Sequence, residues 1–259
     1  MVFTADIGNT VIAIAGITDG KIQFSFRLAS ELQKTSDQYA AEISAVMKLH
    51  GFDVSCIDGA AVSSVVPPLI PVFKAACELL FGCRTVIVGP GVKTGLNIKI
   101  DDPAMLGADL VCGAVAALKK YPMPCIIFNL GTAVTISVLD KNGCFLGGSI
   151  FPGIRVSLNA LSDSAAQLPR INTEIRGTVK MICSNSVDSM KSGIILGTAS
   201  MIDGMTVRCR ESLGENGASA SVVITGEMAD IIAPHCRESV NVDPELLSTG
   251  LYSIYMKNR

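Results

Sequence analysis

The sequence contains no tryptophan, and aromatic residues make up only 5% of its 259 positions. That is too few to build the stacking platforms on which single-stranded nucleic acids are held. Charge of one sign is also missing, since 21 Lys+Arg oppose 23 Asp+Glu for a formal charge of −2. A phosphate backbone finds no broad cationic surface here, so no nucleic-acid partner is expected. There are two histidines, His50 and His235, and nine cysteines, at Cys56, Cys77, Cys83, Cys112, Cys125, Cys144, Cys183, Cys209 and Cys236, with no CxxC pair among them. No structural zinc site is expected from that spacing. An odd number of thiols, most of them inside apolar runs, fits reduced cysteines in a cytoplasmic protein. Hydrophobic residues reach 49%, yet no unbroken apolar run attains the ~18 residues that would cross a bilayer. The N-terminal stretch has no basic segment and places Asp6 where a signal peptide would need its apolar core. Neither membrane insertion nor secretion by that route is expected.

What the sequence does contain is an internal echo. Phe3-Thr4-Ala5-Asp6-Ile7-Gly8-Asn9-Thr10 is followed by an apolar run to Ile17, the turn Asp19-Gly20, and Lys21 to Phe26. Ile126-Ile127-Phe128-Asn129-Leu130-Gly131-Thr132-Ala133 is followed by an apolar run to Leu139, the turn Asn142-Gly143, and Cys144 to Ile150. The landmarks lie 123 residues apart, with Asp6 over Asn129 and Gly8 over Gly131. Asp-Gly and Asn-Gly between β-rich runs predict hairpins, because both central residues of a type I′ turn need positive φ. Each copy reads as strand, glycine turn, strand, hairpin, strand, and the pair predicts a duplicated domain.

The intervening segments alternate as in α/β proteins. Helices are expected over Ser36 to Leu49, Ile70 to Leu80, Gly153 to Gln167, Ser186 to about Ser212 and Pro244 to Met256. Strands are expected over Gly59 to Val66, Thr85 to Val88 and Ser221 to Thr225. Asp102-Pro103 offers an N-cap with proline at the first helical position, ahead of an Ala-rich helix to about Lys120. The polar, proline-rich stretch from Lys119 to Pro124 marks a boundary, giving domains 1–120 and 121–259.

A strand that runs into a glycine turn exposes backbone N–H groups in a space that phosphate oxygens can occupy. In the first copy Gly8 permits close approach, Asn9 and Thr10 add donors, and Asp6 offers a carboxylate to hydrated Mg²⁺. Gly131-Thr132 supplies a matching clamp from the second copy. The stretch from Gly89 to Gly95 has a superficial likeness to a P-loop, but Val92 precedes Lys93 and Gly95 interrupts any helix after it, so it reads as a connecting loop. Asp109 stands among apolar and small residues. Its carboxylate must be partnered or face a cleft. It is a candidate general base for a substrate hydroxyl, or an aspartate placed in a first helical turn by the macrodipole.

Taken in order along nearly the whole chain, Asp6 to Thr10, Gly89 to Leu96, Gly107-Ala108-Asp109, Gly131-Thr132-Ala133, Leu146-Gly147-Gly148, Pro152-Gly153-Ile154, Leu168-Pro169, Ser192-Gly193 and Asp243-Pro244 resemble the motifs of type III pantothenate kinases. The resemblance implies duplicated actin/hexokinase-like (ribonuclease H-like) α/β domains, with mixed sheets flanked by helices and a nucleotide cleft between the domains. It implies a cytoplasmic homodimer that uses ATP with Mg²⁺ and a monovalent cation, K⁺ or NH₄⁺. The implied reaction is phosphorylation of pantothenate to 4′-phosphopantothenate, the first step of coenzyme A biosynthesis. By position, Asp6, Ile7, Gly8, Asn9, Thr10, Val11, Ile12 and Ala13 form the phosphate loop, and Thr132 contacts ATP beside Gly131. Gly107, Ala108, Asp109 and Leu110 form the pantothenate loop, with Asp109 as catalytic base. Ile100 and Ser186 fall at further acceptor contacts, and Asn129 at the monovalent-cation ligand.

Several positions depart from the family. Leu110 replaces an arginine of GADR, and Ile100 stands where a tyrosine is common. Asn129 replaces a cation-ligating aspartate, Glu227 replaces a glycine of TGG, and Ser186 keeps only the hydroxyl of the usual threonine. Leu110 and Ile100 leave open a relative that phosphorylates another small hydroxylated acceptor. Asn129 leaves open a non-catalytic regulatory dimer.

Overall fold

Strand alternation decides which side chains reach each face of the molecule's two sheets. The computed structural model describes residues 1–171 and 179–259. Two compact units emerge, one of Met1–Leu96, Asp101–Lys119 and Glu245–Arg259, the other of Asn97–Ile100 and Lys120–Pro244.

In the first unit, β1 (Val2–Ile7), β2 (Val11–Thr18), β3 (Lys21–Ala29), β4 (Gly59–Ser64) and β5 (Thr85–Ile87) form a mixed sheet in the order β3-β2-β1-β4-β5. Strand β1 runs antiparallel to β2 and parallel to β4. Its residues Phe3, Ala5 and Ile7 enter a core with Tyr39, Ile43 and Met47 of α1 (Ser36–Leu49) and Phe73 and Ala76 of α2 (Leu69–Phe81). Period two sends Thr4 and Asp6 to the opposite face. On that face Ala61 packs with Val111, Cys112 and Val115 of α3 (Ala108–Lys120) and with Leu251 and Ile254 of α7 (Leu246–Asn258). Helix α1 starts at the expected residue because Thr35 and Gln38 form a reciprocal capping box, which satisfies two otherwise orphaned N–H groups.

The second unit holds β6 (Asn97–Ile98), β7 (Cys125–Leu130), β8 (Ala133–Leu139), β9 (Cys144–Pro152), β10 (Ser221–Thr225) and β11 (Asn241–Val242), ordered β11-β10-β7-β8-β9-β6. One face of this sheet buries Ile126, Phe128, Leu130, Val134 and Ile136 against α4 (Ile154–Ser164), α5 (Ser186–Ser212) and α6 (Ala229–Ile232).

The structure differs from the sequence expectations at four points. A single boundary near residue 120 does not describe the units: β6 joins the second sheet, and α7 returns to the first unit, where Leu251 and Ile254 complete an apolar face. Asp102 caps only a short 3-10 turn, Pro103–Met105, through the N–H of Ala104. Leu106 is extended, so α3 begins afresh at Ala108. Helix α4 stops at Ser164 rather than Gln167, with Ala165 extended. Finally, the constant 123-residue offset hides a difference between the two glycine turns. Ile7 pairs with Ile12 but Leu130 with Val134, so four residues (8–11) form the first glycine turn and three (131–133) the second. The hairpins differ as well. Asp19 and Gly20 both have positive φ, 51° and 76°, whereas in the second copy only Gly143 does. There the Asp140 carboxylate accepts from the N–H groups of Asn142 and Cys144 and widens the turn.

Candidate active site

The glycine turn at the end of β1 is closed from within. The N–H of Gly8 donates to the carbonyl of Val11 at 3.0 Å, and Ser30 at the end of the neighbouring hairpin clamps it, its hydroxyl donating to Gly8 at 2.6 Å and its N–H to Thr10 at 3.0 Å. The second copy repeats the device, with Gly131 N–H to Ala133 carbonyl at 3.1 Å and Gly153 N–H to Thr132 carbonyl at 3.0 Å. The glycine N–H groups are thus engaged in shaping the turns. At the turn tips, Asn9 in the first unit and Gly131 and Thr132 in the second are exposed. Gly153 has a structural duty here. A Cβ on it would lie 2.3 Å from the carbonyl oxygens of both Gly131 and Thr132. Only glycine lets α4 begin this close to the turn. Gly226, with φ 98°, presses in the same way on the backbone of Leu130.

In the first unit the structure brings two carboxylates together. Asp6, the penultimate residue of β1, is on the face that carries α3, and Asp109 lies in the first turn of α3. Burial, opposed by a hydrogen bond from Ser63 and reinforced by the charge of Asp109, pushes Asp6 from its ordinary 3.8 up to about 7. Asp109 is also raised by burial, against the lowering effect of the backbone N–H groups of Leu110 and Asp109. Asp109 is thus a first-turn aspartate, as one reading of the sequence expects, and at the same time a desolvated carboxylate. Gly107 leaves room for it: a Cβ there would stand 2.5 Å from Asp109 Oδ1 and displace the carboxylate. No basic side chain among the described residues forms an ion pair with either acid. Two desolvated acids without a cationic partner suit a hydrated divalent cation, which favours carboxylate oxygens and keeps most of its waters.

The remaining site residues distribute by unit. Ile7, Gly8, Asn9, Thr10, Val11, Ile12 and Ala13 accompany Asp6, and Ala108 and Leu110 flank Asp109. In the second unit Asn129 sits between Thr225 on β10 and Thr135 on β8 in ladder register, so all three share one face. The hydroxyls of Thr225 and Thr135 are buried without a hydrogen-bond partner. This row offers oxygens but no charge. Ile100 follows β6, its Cγ2 3.7 Å from where a Cβ on Gly147 would be. Ser186 opens α5, behind the N-cap Asn185, and lines a mostly apolar cavity of about 680 Å³ with Leu158, Leu161, Cys183 and Met190. Arg155 meets Glu227 at 3.4 Å, while the loop holding Lys93 is strapped to α7 by Asn258 and Lys257, in keeping with a connecting loop. Sequence reasoning missed Ser63, Thr135 and Thr225. Their only signal was a hydroxyl in an apolar strand, and strand pairing was needed to show what each one faces.

A duplicated pair of mixed sheets with glycine turns at the ends of corresponding strands makes up an actin/hexokinase-like α/β fold, and its first unit carries a desolvated acid pair. Residues 2–208 match the family model for type III pantothenate kinase. The type III pantothenate kinase 2 of Symbiobacterium thermophilum is 37% identical over 260 residues, covering 100% of this chain and 97% of its own. A type III pantothenate kinase of Geobacillus sp. is 39% identical over 259 residues, at 100% and 98% coverage. The chain therefore belongs to the type III pantothenate kinase family. Among solved structures, a conserved Baf family protein of Campylobacter jejuni superposes with a TM-score of 0.62 at 19% identity, covering 99% of this chain and 98% of that one. The ethanolamine utilization protein EutJ of Carboxydothermus hydrogenoformans gives 0.53 at 15% identity, with 98% and 89% covered. At those identities the likeness speaks to the fold alone.

Proposed function

We propose that this chain phosphorylates the hydroxyl of pantothenate at the expense of ATP, yielding 4′-phosphopantothenate for coenzyme A synthesis. The observation that carries the reading is the Asp6–Asp109 pair within a chain of this family. Asp109 acts as the base: its raised proton affinity suits it to take the hydroxyl proton as the oxygen attacks the γ-phosphorus and the bond to the ADP oxygen breaks. Asp6 holds the metal through water, and residues 6–13 with Gly131 and Thr132 hold the phosphates. Gly107, Ala108, Leu110, Ile100 and Ser186 form the acceptor contacts. When bound, Mg²⁺ supplies charge neutralisation for the transferring phosphoryl group. Asn129, with the hydroxyls of Thr135 and Thr225, holds a monovalent cation weakly, because its ligands are neutral. We place the protein in the cytoplasm as a homodimer. Nine free cysteines support a reducing compartment, and the exposed Ile150, Met181 and Ile182 of the second unit support a subunit contact. No helix among the described residues is long and apolar enough to cross a membrane.

A coupled assay with ATP, Mg²⁺, K⁺ and pantothenate tests the reading. Turnover is expected to fall roughly 10²–10⁴-fold in Asp109→Asn, the range for a positioned acid–base group. Purified protein that binds ATP but forms no phosphopantothenate under these conditions would overturn it.

A further inference from the structure

Ser63 is fully buried at the end of β4, paired in parallel register with Asp6. Its hydroxyl donates to Asp6 Oδ1 at 2.7 Å. The fully buried Cys112 of α3 lies near both residues. Asp6 Oδ2 has no hydrogen-bond partner among the described residues. One oxygen of the carboxylate is thus fixed by protein, and the other is left for a ligand.

The second copy serves as an internal control. Thr225 occupies on β10 the ladder position that Ser63 occupies on β4, directly beside Asn129. There the carboxylate has become an amide, and the buried hydroxyl of Thr225 is orphaned. Leaving a buried hydroxyl unpaired is costly. A hydroxyl at this ladder position has its partner only in the copy that keeps the acid.

We propose that Ser63 is the positioning residue of the metal-nucleotide site, its hydroxyl locking the Asp6 carboxylate so that Oδ2 is already placed for a water of hydrated Mg²⁺. The inference rests on the kinase reading above. Residues that orient a metal-binding carboxylate through a hydrogen bond are typically worth about 10–100-fold in metal affinity.

Calorimetric titration of the full chain with ATP, once with Mg²⁺ and once with EDTA, isolates the effect. In the parent protein Mg²⁺ is expected to tighten ATP binding. Ser63→Ala is expected to lose about tenfold of that metal-dependent gain, with metal-free ATP affinity unchanged, and Ser63→Thr is expected to restore it. In an Asp6→Asn background Ser63→Ala should have no further effect, since the two act through one group. Retention of the full gain by Ser63→Ala, or equal weakening with and without metal, overturns the proposal while leaving the kinase reading intact. If Ser63→Ala does not fold, Ser63→Cys decides: it keeps the volume and supplies only a weak donor, so an undiminished gain in it also overturns the proposal. A parent protein with no Mg²⁺-dependent gain overturns the kinase reading and this inference together.

Discussion

Asp6→Asn should make this protein more stable, with a gain that grows from about pH 4 and is complete above about pH 7. The folded protein holds the Asp6 proton up to about pH 7, whereas the unfolded chain releases it near 3.8. Between those values the native state binds more protons, so the slope of unfolding free energy against pH is negative. Stability conferred by that proton is complete below about pH 4 and gone above about pH 7. A difference of about three pH units at ~1.36 kcal/mol each amounts to ~4 kcal/mol. Asp6 is partly accessible at the surface, and solvent screening reduces the figure to ~2–4 kcal/mol. Asparagine keeps an oxygen for the Ser63 hydroxyl while removing both the desolvated charge and its repulsion with Asp109. Thermal or urea unfolding at pH 4 and pH 8 is the assay, with the variant expected to match the parent at pH 4 and exceed it at pH 8. A gain that is equal at both values, or absent at pH 8, refutes the reasoning. Such a gain would also mark Asp6 as a residue whose cost is tolerated for ligand binding, the usual trade between stability and activity.

Restoring an arginine with Leu110→Arg should lower KM for pantothenate about tenfold with little change in kcat, the scale of one charge-assisted contact, and steady-state kinetics would show it. Asn129→Asp adds a negative charge beside the hydroxyls of Thr135 and Thr225, and a K⁺ titration of activity should saturate at roughly tenfold lower concentration. Gly153→Ala drives a methyl into the carbonyls of Gly131 and Thr132, so a loss of ~1–3 kcal/mol in unfolding experiments and a rise in KM for ATP are expected.

Much of the fold was legible because its signals are local. Helices α1 and α5 and strand β10 begin and end where capping residues and apolar runs say they should. The duplication showed itself through Asp6 over Asn129 and Gly8 over Gly131. What escaped was set by pairing over distance. The one-residue difference between the glycine turns is invisible in an ungapped echo, since the longer hairpin of the second copy restores the spacing downstream. Asp102-Pro103 is a sound capping signal that the extended Leu106 overrides.

The sequence alone determined the family, the two glycine turns and the identities of the acids, because motif order and residue chemistry are one-dimensional facts. Only the tertiary structure decided that α7 belongs with the first unit, that burial makes Asp6 and Asp109 a desolvated acid pair, and that Ser63 holds Asp6 while Thr225 holds nothing. A hydroxyl 57 residues away along the chain acquires its meaning when parallel pairing sets it 2.7 Å from a carboxylate whose proton affinity burial has raised.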